Sequence, residues 1–181
     1  MLMNLQIQKG AGLIEVMVAL FILVIAVLGF VALQVRAIEA SQDSVFKTQA
    51  VHFMQSLSES IRVNNTAKAN YATNINTYLL ASSKPTATIN CNTTVCTPAQ
   101  LATFESYAIA RQAAIQGLSL GVAICPGISA STPVADKRLC IFSVWNNTSL
   151  TGTVASLNVA NCMSNTGIYV ASSNCLMMES Y

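Results

Sequence analysis

Gly10-Ala11-Gly12-Leu13-Ile14-Glu15, running into the uncharged segment Val16 to Leu33, decides the fold. Glu15 is the only charged residue between Lys9 and Arg36. A charge at a bilayer centre costs about 2.5–3.5 kcal/mol on insertion scales, so an acid kept at the edge of such a segment is a functional candidate. The segment is long enough to cross a membrane, which takes about 20 apolar residues. Two simpler readings compete. A secretory signal peptide has an apolar region of about 7–15 residues and then a small-residue cleavage site, whereas Leu13 to Leu33 is longer and continues into a helical pattern. A plain anchor accounts for the length but leaves Glu15 and the Gly10 spacing unexplained.

Beyond Leu33 the helical period continues in a polar background. Phe46, Ala50, Phe53, Met54, Leu57 and Ile61 recur at three- and four-residue steps and form one apolar stripe. No proline precedes Pro85. One helix is therefore predicted from about Ala11 to Val63, roughly 80 Å long, with Asn64 and Asn65 as stop signals. Its first half needs lipid or other apolar helices, and its second packs the stripe on the domain that follows. Gly29 weakens the helix by about 1 kcal/mol relative to alanine and reads as a place of close helix packing.

All six cysteines, Cys91, Cys96, Cys125, Cys140, Cys162 and Cys175, lie downstream of the apolar segment. An even number so placed reads as disulfides in an oxidising compartment, with 15 possible connectivities. Sequential pairing, Cys91–Cys96, Cys125–Cys140 and Cys162–Cys175, is favoured because each pair closes a short loop between predicted elements. Zinc fits poorly: CxxC spacing is absent and the single histidine, His52, lies on the helix. Neither a metal nor any other cofactor is expected. The N-terminus is expected to face the cytoplasm, in weak agreement with Lys9, and the cysteine-bearing domain the periplasm.

Thr66 to Pro98 is rich in Asn, Thr, Ser and Ala and reads as a connecting loop stapled by Cys91–Cys96. Pro98 suits a helix start, and Leu101, Phe104, Ala108 and Ile115 give that short helix an apolar face through about Gln116. Leu118 to Cys125 and Arg138 to Trp145 are strand-like, with Pro126, Gly127 and Pro133 between them. Further strands are expected near Val154 to Val159 and Gly167 to Ala171. The fold class is α+β: a long N-terminal helix on a small antiparallel sheet of about four strands. The expected division is 1–10 leader, 11–35 membrane half of the helix, 36–63 amphipathic half, and 64–181 globular domain, with a loop and short helix over 64–117 and the sheet and C-terminal loop over 118–181.

Composition narrows the function. Of 181 residues, 53% are hydrophobic and only 9% charged, against roughly 25% charged in ordinary soluble domains, and much of the excess precedes residue 34. The net charge of +2 is spread thinly. Beyond the helix only Lys68, Lys84, Arg111, Lys137 and Arg138 are basic, so no direct nucleic-acid site is evident. No GxSxG, phosphate loop or paired acids suggest an enzyme. The Asn-x-Thr triplets at Asn64, Asn92 and Asn146 are expected by chance in a chain this rich in both residues.

KG-AGLIEVMVALFILVIAVLGFVALQ resembles the class III signal of type IV pilins and pseudopilins. In that family a membrane aspartyl peptidase cuts after the glycine, and the glutamate is the fifth residue of the mature chain. Cleavage between Gly10 and Ala11 puts Glu15 there; cleavage after Gly12 would make it the third. The resemblance implies a type IV pilin fold, N-methylation of Ala11, and a subunit-assembly role for Glu15. The Glu15 carboxylate would pair with the terminal amine of a neighbouring subunit and offset the desolvation of both charges. Ala11 stands where the family usually has phenylalanine or methionine, and Gly12 where threonine is common.

Within the superfamily, MVAL and VLGFVALQ after Glu15-Val16, and downstream IRVNN, QLATFESYAIARQAA, GVAICPG and LCIFSVWNN, resemble the PilV-type minor pilins, the type IV pilus modification proteins. This implies a low-abundance pilin that helps initiate pilus assembly and forms part of the tip complex, supporting adhesion, twitching motility or DNA uptake. Its partners would be prepilin peptidase, other minor and major pilins through the N-terminal helix, and a tip adhesin. It would reside in the inner membrane before joining the pilus on the cell surface. Two alternatives stay open: a pseudopilin of a type II secretion system, and a major or uptake pilin that itself binds DNA or surfaces.

Overall fold

A computed structural model describes residues 12–128 and 138–180. Helix α1 covers Leu13–Val63. The chain divides into two compact units, one ending at Ser44 and the other beginning at Val45, and α1 contributes to both. In the second unit a 3-10 turn, Asn65–Ala67, leads into α2, Lys68–Leu80, and then α3, Pro98–Ile115. Five strands follow: β1 Leu118–Ile124, β2 Leu139–Trp145, β3 Thr151–Gly152, β4 Leu157–Asn158 and β5 Cys175–Ser180. They form an antiparallel three-stranded sheet in the order β1-β2-β5 and a two-stranded ribbon, β3-β4. The fold class is α+β, a long N-terminal helix with a small antiparallel sheet, consistent with the type IV pilin fold.

The period-2 alternation of the strands divides the core in two. Leu118, Leu120 and Val122 of β1, Ile141 and Trp145 of β2, and Leu176 and Met178 of β5 face the helices. There they meet the α1 stripe, in which Ala50, Met54, Leu57 and Ile61 are fully buried. The Phe46 ring stacks on Trp145 with centroids 6.3 Å apart. Phe142, Val144, Cys140, Cys175 and Met177 face the other way, under a layer of C-terminal loops that supplies Leu150, Leu157, Cys162 and Met163. Gly121 permits that layer to close: a Cβ there would lie 2.6 Å from both Leu150 Cδ1 and Leu157 Cδ2.

Two buried polar joints hold the helices to this core. The Asn76 side chain, on α2, behaves like a strand peptide. Its Oδ1 accepts from the Val122 N–H at 2.9 Å, and its Nδ2 donates to the Val122 and Val154 carbonyls at 2.8 and 3.0 Å. One amide thus closes the outer edge of β1 and ties it to the loop between β3 and β4. At the end of α1, Asn64 Nδ2 donates to the Pro98 carbonyl at 2.8 Å and to the Tyr71 hydroxyl at 3.4 Å. Tyr71 in turn donates to Glu105 of α3. Burial, and then the hydrogen bond to the Glu105 carboxylate, raise the Tyr71 pKa well above its usual value.

Several expectations need correction. The stretch expected as a loop, from Thr66 to Pro98, contains α2. Its period is carried by Tyr71, Ile75 and Tyr78, all buried, but the buried polar Asn76 and the weak helix formers around it mask the pattern. Helix α3 begins at Pro98, as expected, behind a capping box in which Thr97 and Gln100 exchange hydrogen bonds. Its buried face differs from the expected one: Ala102, Ser106, Ala110 and Ala113 are buried, whereas Ala108 and Ile115 are exposed. Small residues let the helix lie close, and the larger Tyr107 and Ile109 pack only partly buried against the core.

The strand expected near Val154 to Val159 is reduced to β4, which pairs with β3. Gly167 to Ala171 forms a turn with a single bridge, Met163 to Tyr169. Gly167 has φ +83° there, its N–H donates to the Ser164 carbonyl, and the Val170 N–H returns to the Cys162 carbonyl. The third strand of the main sheet is instead β5, which the sequence reading did not include.

Asn76→Ala would leave the Val122 N–H and C=O and the Val154 C=O without this partner, at about 1–3 kcal/mol for each buried group left unmatched. Chemical unfolding of the full chain in detergent, followed by Trp145 fluorescence, should show a fall of that order; an unchanged midpoint would refute the edge-closing role. Tyr71 predicts an alkaline dependence. A tyrosine whose folded pKa is raised stays protonated in the native state while the unfolded chain ionises, so its contribution is complete below about pH 10 and declines as pH rises above it. Tyr71→Phe should be less stable than wild type at pH 7 by about 1 kcal/mol and lose less stability between pH 9 and 11; parallel losses in the two proteins would count against the assignment.

Candidate assembly site

The first described turn of α1 is built on the Gly12 carbonyl, which accepts from the Glu15 and Val16 N–H groups at 2.9 and 3.3 Å. Glu15 therefore lies in the first helical turn, where the helix dipole favours an anion. The expected scissile pair, Gly10 and Ala11, lies outside the described residues. The next charged residue along α1 is Arg36, 21 positions on and roughly 30 Å away along the axis. It pairs with Glu39 at 3.1 Å. Among the described residues Glu15 has no ion-pair partner.

From Leu13 to Ile38 the large apolar side chains stand exposed; Leu13 is 80% exposed, Phe21 68% and Phe30 61%. An 18-residue window of α1 reaches a mean hydropathy of 3.2, so this helix is long and apolar enough to cross a membrane. A continuous apolar surface of this size marks an interaction or membrane site. Gly29 adds a gap in that surface, since nothing lies within 4 Å of the place a Cβ would occupy. The site thus consists of an apolar cylinder with a single carboxylate near its N-terminal end.

The six cysteines are all paired, Cys91 with Cys96, Cys125 with Cys140 and Cys162 with Cys175. Cys140 lies within β2, opposite Ala123, and Cys125 directly follows β1. Cys162–Cys175 fastens the C-terminal loop layer to the first residue of β5. Among the described residues no three His, Cys, Asp or Glu side chains group as metal ligands. His52 lies against the Phe53 ring, with centroids 5.6 Å apart.

Comparison with known proteins gives one finding. Residues 32–107 match the family model described as Tt1218-like, Type IV pilin Tt1218. No curated protein and no solved structure matches the chain. The matched region covers the amphipathic half of α1, all of α2 and more than half of α3, and lies almost wholly downstream of the stretch around Gly10 and Glu15. The match at residues 32–107, joined to the α+β fold and the exposed apolar helix, supports a type IV pilin.

Proposed function

We propose that this chain is a minor type IV pilin of the PilV kind, a low-abundance subunit that helps initiate pilus assembly and takes its place in the tip complex. The observation that carries this reading is Glu15, a carboxylate without an intrachain partner among the described residues, at the start of a helix whose apolar side chains stand exposed. Such a surface is satisfied in lipid before assembly and among the helices of other pilins after it. Prepilin peptidase cuts between Gly10 and Ala11, and the new Ala11 amine is the site of methylation. The Glu15 carboxylate then meets the terminal amine of a neighbouring subunit. This pairing fixes the axial register, because a slip of one turn leaves two buried charges unpaired.

The chain is a substrate and a structural component, not a catalyst. Before assembly it is a single-pass inner-membrane protein with its N-terminus cytoplasmic and the disulfide-bonded domain periplasmic. Afterwards it resides in the pilus, beneath an adhesin. The whole-pilus activities it supports are adhesion, twitching motility or DNA uptake. A pseudopilin of a type II secretion system would share the helix and its carboxylate; neighbouring genes for other prepilins and a large adhesin, as against secretion components, separate the two.

Two experiments test the proposal. Gly10→Val should block cleavage, so the variant migrates as the precursor while wild type yields Ala11 on N-terminal sequencing; any other first residue would overturn the processing assignment. Glu15→Ala should leave cleavage and domain folding intact and sharply lower both incorporation and pilus number. Immunogold counts of sheared pili, set against whole-cell levels of the variant, read both effects. Normal piliation with normal incorporation would remove Glu15 from the assembly mechanism.

A further inference from the structure

Helix α3 buries its small residues fully and leaves larger ones partly or wholly exposed. Phe104, Tyr107 and Arg111 follow at three- and four-residue steps, Phe104 and Arg111 away from the buried Ala102 and Tyr107 at the edge of the buried face, and line a groove of about 270 Å³. Pro85, Ile89 and Asn90 form the facing wall.

That wall is anchored at both ends. Lys84 Nζ donates to the Tyr78 and Leu79 carbonyls at 2.9 and 3.1 Å, at the end of α2. On the other side the Asn90 carbonyl accepts from the Thr93 and Thr94 N–H groups, within a turn closed by Cys91–Cys96. Tyr107 is backed by Tyr78, with ring centroids 6.2 Å apart. Arg111 is exposed and has neither an ion-pair nor a hydrogen-bond partner among the described residues. Glu105, on the same helix, is engaged by Tyr71.

The geometry points to a binding site for an acidic sugar residue, a uronate unit of a polysaccharide, with its C–H face on Phe104 and Tyr107 and its carboxylate on Arg111. Aromatic faces carry negative charge density and attract polarised C–H groups, and a guanidinium holds a carboxylate through two parallel hydrogen bonds. Asn90 at the rim supplies an amide for ring hydroxyls. A nucleic-acid strand would need several cations along its path, and no second Lys or Arg among the described residues lines this groove. An acidic peptide would bring its own backbone amides, and residues 85–90 offer it no strand to pair with. A larger groove of about 590 Å³, between the end of β1 and residues 155–160, has among the described residues no charged side chain to select an occupant.

The test is calorimetric titration of the full chain in detergent with trigalacturonate, with a neutral galactose trimer, a thymidine oligonucleotide and a glutamate-rich peptide as competing probes. Saturable binding of trigalacturonate alone is expected. Arg111→Gln and Phe104→Ala should each weaken it at least tenfold, with the unfolding midpoint unchanged by Trp145 fluorescence; if Phe104→Ala disturbs the fold, Arg111→Gln decides. Absent trigalacturonate binding, equal binding of the neutral trimer, tighter binding of the oligonucleotide or peptide, or undiminished affinity in Arg111→Gln would overturn the inference. The site is independent of the assembly reading, since Arg111→Gln should enter filaments at the wild-type level.

Discussion

The central constraint is that a single helix must satisfy two surroundings. Up to Leu33 the sequence of α1 is apolar on every side apart from Glu15. From Val45 only one stripe remains apolar, and its members Ala50, Met54, Leu57 and Ile61 form the base of the core. Burying a leucine, isoleucine or methionine contributes about 1.5–3 kcal/mol, so these four positions provide a large part of what holds the helix to the sheet. Everything else in the second unit is arranged around that stripe. The sheet turns Leu118, Leu120, Val122 and Ile141 toward it, and α2 and α3 add Tyr71, Ile75, Ala102 and Ala110.

The polar joints then decide how the packed elements are oriented. Hydrophobic burial has little directional preference, whereas Asn76 and Tyr71 can be satisfied in only a few geometries. Asn76 supplies a peptide-like pair of hydrogen bonds at a sheet edge that would otherwise invite pairing with another chain. Tyr71 joins the end of α1 to α3 through Asn64 and Glu105. Both lie on α2, which therefore contributes specificity as well as core area.

The sequence revealed most where the pattern was long and of one kind. The 51-residue helix and its stripe followed from period and the lack of proline. The start of α3 was legible in Pro98, and the first two strands in the runs on either side of Pro126 and Pro133. The favoured cysteine pairing, argued from loop length, is the one that the structure contains. Helix α2 was hidden because one of its buried positions is an asparagine whose partners lie 46 and 78 residues away. Strand β5 was hidden because Leu176, Met177 and Met178 give no clean alternation, and its place is set by pairing with β2. The face of α3 was misassigned because size was taken as the mark of burial, whereas close approach selected alanine and serine. For the candidate site, Glu15 was legible because it interrupts an apolar run. Arg111 was not, because a lone arginine acquires meaning only beside the rings and loop that the fold brings to it.

The disulfides have a mechanical consequence. They join residues 5, 15 and 13 positions apart, and none of them links α1 to the rest of the second unit. Tension applied along α1 would therefore load side-chain packing and non-covalent contacts such as the hydrogen bonds around Asn64 and the one from Gln49 to Gln116, while the cross-links withhold on the order of 100 Å of contour from extension. A subunit built this way yields first at the helix and lengthens little afterwards. Reduction of the disulfides would leave its resting form held by packing and hydrogen bonds alone and make it far more extensible under load.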